Sequence, residues 1–273
     1  MFNKMLLTTW GFRYPFFLTT WHCVLSTVLT QVMAKMTTLL PGVEKGVVTT
    51  KDFILRIIPM SCCFALGLVL GNMAYRYISL AYIQMIKAFT PVPLLLLNFA
   101  VGREKPSSVQ MGIVLVVSFG VILSSYGELN FSMIGFVVQL AAVLSDCSRV
   151  MMLDLMLRDL RLDSLSLLYY TAPTSAVLIF CGFMLFESSS FSIAVLNPTL
   201  CGALLLNGLL AFSLNVAVIY LVGSTSSMVL SISGPLKDIL IVLISVVIFS
   251  SPVSLLQVVG FSVSLFGLYL YKE

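Results

Sequence analysis

The sequence predicts an all-α protein whose helices cross a membrane many times. Three observations carry this expectation. Of 273 residues, 59% are hydrophobic and only 10% are charged, where a soluble domain carries roughly 25% charged residues. The mean hydropathy is +1.08. Apolar runs of about 20 residues, the length a helix needs to cross a bilayer, recur along the whole chain with short polar connections between them. A water-soluble fold of this composition would lack the polar surface to cover itself. The lipid bilayer is therefore the first expected partner.

Cutting the chain at its charged residues and its Gly, Pro and Ser punctuation places the spans in order. They are 15–40, 53–77, 79–101, 108–126, 131–157, 164–187, 194–222, 226–249 and 252–271. The longest connection, PGVEKGVVTTKD, holds Pro, Gly and charges of both signs. No soluble domain fits anywhere, so residues 1–273 read as one transmembrane domain. Alternate connections carry Lys45, Lys51, Arg103, Lys105, Arg158 and Arg161, with Lys272 at the tail. The other set holds almost no cation, with only Arg13 and Arg76 near it. The positive-inside rule places the first set and the C-terminus in the cytosol. The opening MFNKMLLTTWGFRYP is too short and polar to span alone. It reads as the trailing half of a helix, so that about nine complete spans are present.

The composition also excludes function classes. The net charge of +4 comes from scattered residues without a basic run, which argues against nucleic-acid binding. The six cysteines lie in apolar stretches without metal spacing and read as small hydrophobic fillers. No metal or cofactor motif is present.

One stretch stands out. YISLAYIQMIKAFTPVPLLLL, from Tyr77, puts Lys87 inside an apolar helix with Gln84 one turn before it and Pro91 four residues after it. A second copy follows about 150 residues later as SSMVLSISGPLKDILIVLIS, with Ser233, Pro235, Lys237 and Asp238. With one span missing in front, these are the fourth and ninth of ten helices, equivalent in two halves of five. An odd repeat length inverts the second half relative to the first, and transporters often carry such symmetry with the binding site where interrupted helices meet. The halves fall at 1–126 and 131–273.

Residues three and four apart share a helix face. Gln84, Lys87 and Pro91 therefore align on one helix, and Ser226, Ser233 and Lys237 on the other. A proline inside a helix frees a carbonyl and kinks the axis. Lys237 stands ~16 Å into its span at 1.5 Å per residue. A lone cation at mid-bilayer costs from ~2.5 to over 10 kcal/mol depending on the method. Either an internal acid pairs with each lysine, the candidates being Asp146, Asp154 and Asp238, or the missing anion is a substrate. A phosphate suits two lysines as mobile point charges. Tyr82 reads equally as a substrate hydrogen-bonding group and as a packed residue. Asn72 reads equally as a gate contact and as packing. His22, the single histidine, reads first as a satisfied polar residue within the bundle. Gly67 and Gly71 give the G-x-x-x-G spacing of close helix approach, which leaves a homodimer open.

The lysine stretches resemble the fourth-helix and ninth-helix signatures of the triose-phosphate translocator and nucleotide-sugar transporter group, within the drug/metabolite transporter superfamily. GSTSSMVLSISGPLKDILIV resembles the subgroup in which Asp follows the lysine. NKMLLTTWGFRYPFFLTTWH and VVGFSVSLFGLYLYK resemble the group's early and last helices, so the likeness covers the whole chain. It implies a ten-helix fold of two inverted five-helix repeats and exchange of phosphorylated solutes by alternating access in an endomembrane, Golgi or ER. It assigns phosphate binding to Lys87 and Lys237, without a cofactor. Gln84, Tyr82, Ser233 and Asn215 are candidate substrate contacts, and Asp238, Pro91 and Pro235 candidate gating or coupling residues. Three-carbon phosphate translocators of plastids have an arginine where Asp238 stands, and an eighth-helix tyrosine where Leu214 stands beside Asn215. A Lys-Asp pair sums to zero, which points away from triose phosphate and toward a nucleotide sugar, a sugar phosphate or another phosphoester.

Two other classes remain on the table. An intramembrane aspartyl protease needs two facing aspartates, typically in a G-x-G-D setting, and the chain offers only SDCS at Asp146. A non-transporting relative with a structural or regulatory role is the second.

Overall fold

The computed structural model describes residues 6, 12, 14–102, 107–128, 131–192, 197–225 and 254–272. Among these, regular structure is helical throughout. The long helices are α1 (Pro15–Met36), α2 (Thr50–Ala74), α3 (Leu80–Ala100), α4 (Ser108–Gly127), α5 (Met133–Asp159), α6 (Ser164–Phe186), α7 (Pro198–Ser224) and α8 (Leu255–Lys272). The first seven are long and apolar enough to cross a membrane. Each matches an expected span to within a few residues. The span expected at 226–249 lies outside the described residues.

The helix starts follow one rule. The first N–H groups of a helix have no partner within it, and near lipid an unsatisfied donor is costly. Thr49, Ser79, Ser107, Ser132, Asp163, Asn197 and Ser254 each accept a backbone N–H of the following turn through the side chain, at 2.8–3.2 Å. At Ser107 and Ser254 the bond is returned by Gln110 and Gln257, which completes a capping box. Helix α1 is the exception, because Tyr14 does not cap it. Glu187, just past α6, takes that role. Its carboxylate accepts the N–H of Phe16 at 2.9 Å and of Phe17 at 3.0 Å.

The chain divides into two compact units. Unit one combines Met1–Ala65 with Met152–Ser224, and unit two combines Leu66–Met151 with Thr225–Glu273. In unit one, α1 packs on α6 and α7. Leu18, Leu200 and Leu204 share a buried cluster with Leu6 and Phe12. The Trp21 indole donates to the Leu204 carbonyl at 2.8 Å. His22 Nε2 lies in close hydrogen-bond contact with Asn207 Oδ1 and both side chains are buried. The histidine is thus a satisfied polar residue of the bundle.

In unit two, α4 and α8 approach until backbones touch. A Cβ on Gly120 would lie 2.6 Å from the Gly260 carbonyl oxygen, and one on Gly127 would lie 2.6 Å from the Gln257 nitrogen. Glycine is required at such distances. Polar groups along this seam are paired: Ser124 donates to the Gln257 carbonyl at 3.2 Å, Ser254 to that of Gly127 at 2.6 Å, and the Gln257 amide to Glu128 Oε2. Outward-facing apolar side chains suit lipid. Leu115, Phe119, Leu185 and Leu214 are all at least 60% exposed.

Candidate functional site

Helix α3 carries the described part of the site. Ser79 starts it, accepting the Tyr82 N–H at 3.2 Å, and its first segment ends at Lys87. Pro91 has no N–H to offer the Lys87 carbonyl. Thr90 takes over, donating its N–H at 3.0 Å and its hydroxyl at 2.5 Å to that oxygen. Residues 88–90 form a turn with i→i−3 bonds, and a second helical segment runs from Pro91 to Ala100. The expected proline break is therefore present, directly after the lysine. Past Val101, Gly102 adopts φ 76° and closes the helix.

Lys87 is half-buried at this break. No ion pair to it occurs among the described residues. Asp154, one candidate counter-ion, is bonded instead to Arg158 at 2.9 Å. Gln84 stands one turn before Lys87, 3% exposed, and its Oε1 has no hydrogen-bond partner. Tyr82 lies about 200° around the helix from Gln84, at ~100° per residue. It points elsewhere: its hydroxyl donates to Ser125 Oγ of α4 at 2.6 Å. That bond anchors α3 to α4 and leaves the phenol oxygen only acceptor capacity.

Helix α5 runs beside α3 in the same direction. A Cβ on Gly135 would sit 2.6 Å from Ile78 Cγ2, and Cys147 Sγ donates to the Thr90 carbonyl at 3.4 Å. Both pairs are 57 residues apart in sequence, so the register is constant along the helices. Helix α2 meets the same helix antiparallel. A Cβ on Gly67 would lie 2.9 Å from Asp146 Oδ1, while Gly71 faces open space. The G-x-x-x-G spacing thus serves α5 packing at one glycine.

Not every candidate joins this group. Asn215 is exposed on α7 and belongs to unit one. Ser233, Pro235, Lys237 and Asp238 lie outside the described residues. Sequence reading also passed over Gln139 on α5, which is 1% exposed with neither amide atom partnered. A lone glutamine in the apolar run FVVQLAAVL was the available signal.

A family model described as the Triose-phosphate Transporter family matches residues 1–272. The chain belongs to this family. Members are transporters, so it is an integral membrane transporter and not an enzyme. It is 35% identical to an Arabidopsis thaliana protein named a probable sugar phosphate/phosphate translocator, covering 100% of this chain and 82% of that one. Two further Arabidopsis thaliana family relatives are UDP-galactose transporter 1, 30% identical over 98% of this chain and 80% of its own length, and a GDP-mannose transporter, 29% identical over 98% and 79%. A solved crystal structure is alike over 99% of this chain and 92% of its own, with a TM-score of 0.60 at 15% identity. At that identity the likeness speaks to the fold alone.

Proposed function

We propose that this transporter exchanges a nucleotide sugar or a sugar phosphate across a Golgi or ER membrane by alternating access. The observation that carries the reading is Lys87. It is a half-buried ammonium at a helix break, with no acid paired to it among the described residues. A cation inside a membrane bundle marks a functional site by default, and a solute anion is the partner this reading gives it. The relatives' names, among them UDP-galactose and GDP-mannose transporters, supply the class of anion.

In this reading Lys87 and Lys237 neutralise the phosphates, with Gln84 and Ser233 as further contacts. The break at Pro91 acts as a gate, with Pro235 as its proposed counterpart. Asp238, next to Lys237, lowers the site's net charge below that of a Lys-Arg pair and disfavours a small dianion such as triose phosphate. Each unit draws one segment from the first part of the chain and one that starts about 150–160 residues later. In this reading the halves expected at 1–126 and 131–273 are inverted repeats that rock about the site. Returning an empty site that keeps a net positive charge is costly, so a second anion travels back and the cycle is an antiport. The cation-bearing connections and the C-terminus face the cytosol by the positive-inside rule.

The test is uptake of radiolabelled UDP-galactose, GDP-mannose and glucose 6-phosphate into liposomes holding the purified protein and preloaded with a nucleotide or phosphate. Lys87→Ala and Lys237→Ala should each lower uptake by about 10–100-fold, the worth of a charge-assisted contact. Uptake unchanged in both variants removes the basis of the proposal.

A further inference from the structure

Burial without a partner is unusual for an amide. A buried polar group is normally hydrogen-bonded, and each exception asks for an explanation. Unit two holds two such glutamines on adjacent helices. Gln84 on α3 lacks a partner for Oε1, and Gln139 on α5 lacks one for both Oε1 and Nε2. On α2, Asn72 Nδ2 is also unpartnered.

The helix registers place these three at one depth. With the 57-residue offset between α3 and α5, Gln84 is level with residue 141. Gln139 is therefore ~3 Å away along the axis at 1.5 Å per residue. Counting from the antiparallel Gly67–Asp146 contact, Asn72 is also level with residue 141. Gln139 itself lies one turn after Gly135 and two turns before Asp146. Gly135 meets Tyr77 and Ile78 just before α3, and Asp146 meets α2, so Gln139 sits on the stripe of α5 that faces α2 and the entry to α3. Lys87 is level with residue 144, which puts Gln139 ~7–8 Å along the axis from the lysine. A hexose attached to a phosphate spans a comparable length.

We propose that Gln139, at the depth of Gln84, is a specificity-determining contact that hydrogen-bonds the sugar hydroxyls of a solute whose phosphate is held at Lys87. The inference rests on the carrier reading above. The chemistry fits. A sugar ring presents neutral groups that both donate and accept, and a primary amide does the same. A phosphate presents only acceptors, for which a lysine suffices. An amide without an internal partner makes its bonds when the solute arrives, and a site built this way rejects solutes that leave the amide unpaired.

The test uses the purified full-length protein in detergent, titrated with inorganic phosphate, UDP, glucose 6-phosphate and UDP-galactose, with affinity read from thermal shift. Gln139→Met keeps the size of the side chain and removes both polar atoms. It should weaken glucose 6-phosphate and UDP-galactose, the two hexose-bearing ligands, by about 5–15-fold, the worth of one or two hydrogen bonds. Phosphate and UDP should stay within about twofold. The melting temperature without ligand should hold or rise, because an unpartnered amide has been removed. Equal losses for all four ligands, no loss for any, or a loss for UDP matching that for UDP-galactose overturns the proposal. A variant that fails to fold assigns Gln139 a structural bond and overturns it too. Lys87→Ala separates the two levels. If it weakens every ligand while Gln139→Met weakens none, the carrier reading stands and this inference falls. If the wild-type protein binds none of the four, both fall.

Discussion

Unit two contains two polar regions that obey opposite rules. Along the α4–α8 seam, glycines bring backbones into contact, and Ser124, Ser254, Gln257 and Glu128 are hydrogen-bonded. Where α2, α3 and α5 meet, Asn72, Gln84 and Gln139 keep buried polar atoms without partners, and Lys87 stands beside the break in α3. Both regions belong to one compact unit and both bury glutamine. What differs is satisfaction. A buried group with its bonds made adds rigidity, whereas the same group unmade is destabilising until something binds. Burial alone would have marked Gln257 and Gln139 alike, since they are 0% and 1% exposed. The missing bonds are what single out the second.

The comparison breaks most visibly at the seam. Gly260→Leu places a branched side chain against the Gly120 carbonyl, where even a Cβ would lie 2.6 Å away. Overpacking against backbone has no flexible neighbour to yield, so the loss should be about 3 kcal/mol or more. Expression yield and melting temperature in detergent check it. A variant that melts with the wild type would show that α4 and α8 do not touch there. The next effect is Glu128→Ala, which strands the buried Gln257 amide donor and should destabilise by about 1–3 kcal/mol. Adding Gln257→Ala should then cost less than it does alone, because the pair is already broken.

On the other side of the comparison the sign reverses. Gln84→Met removes an oxygen that has no partner in the ligand-free protein. Melting temperature without ligand should hold or rise by the equivalent of up to about 1 kcal/mol, while uptake of the sugar-bearing solute falls about 10-fold. A destabilised Gln84→Met protein would erase the distinction between the two regions. The same logic does not reach Tyr82, whose hydroxyl is already committed to Ser125. Tyr82→Phe should therefore lower stability by about 1 kcal/mol before it lowers affinity.

Element positions were legible from sequence because length and punctuation are local properties. A run of apolar residues bounded by Ser79 and Gly102, or by Asp163 and Glu187, names its own ends, and the structure puts caps or close to caps at those residues. The break after Lys87 was legible for the same reason, since Pro91 removes a donor wherever the helix lies. Gln84 was found only because it neighbours Lys87. Gln139 has no such neighbour, and its partnerless state depends on which side of α5 faces α2 and α3. That is a tertiary fact. The α4–α8 seam was likewise hidden. SFGVILSSYG and GFSVS are rich in small residues all round, and pattern alone does not say which of them meet. Glu187 ends the span expected at 164–187, and its task, capping α1, was hidden because it belongs to a helix some 170 residues away.

Glu187 sharpens the comparison with a smaller effect. It is a buried acid whose bonds are made, yet burial pushes its carboxyl above the ordinary value of 4.5. The Phe16 and Phe17 N–H bonds pull the other way and only partly offset this. The folded state therefore holds the proton more tightly than the unfolded chain. This group's contribution to stability is greatest below the ordinary carboxylate range and shrinks as pH rises from about 4.5 to the raised value. Above that the penalty is complete and constant. Melting temperature measured against pH should decline across this window in the wild type. Glu187→Gln serves as the uncharged reference and should flatten that decline. It should also cost about 1 kcal/mol at low pH, where a protonated acid caps better than an amide that turns a donor toward one N–H. Sugar-solute affinity should be the same in both proteins, since the residue belongs to unit one's α1 cap. Parallel pH profiles for the two proteins would mean that the two N–H bonds balance burial fully. Pairing would then be sufficient, by itself, to keep a buried charge at no cost.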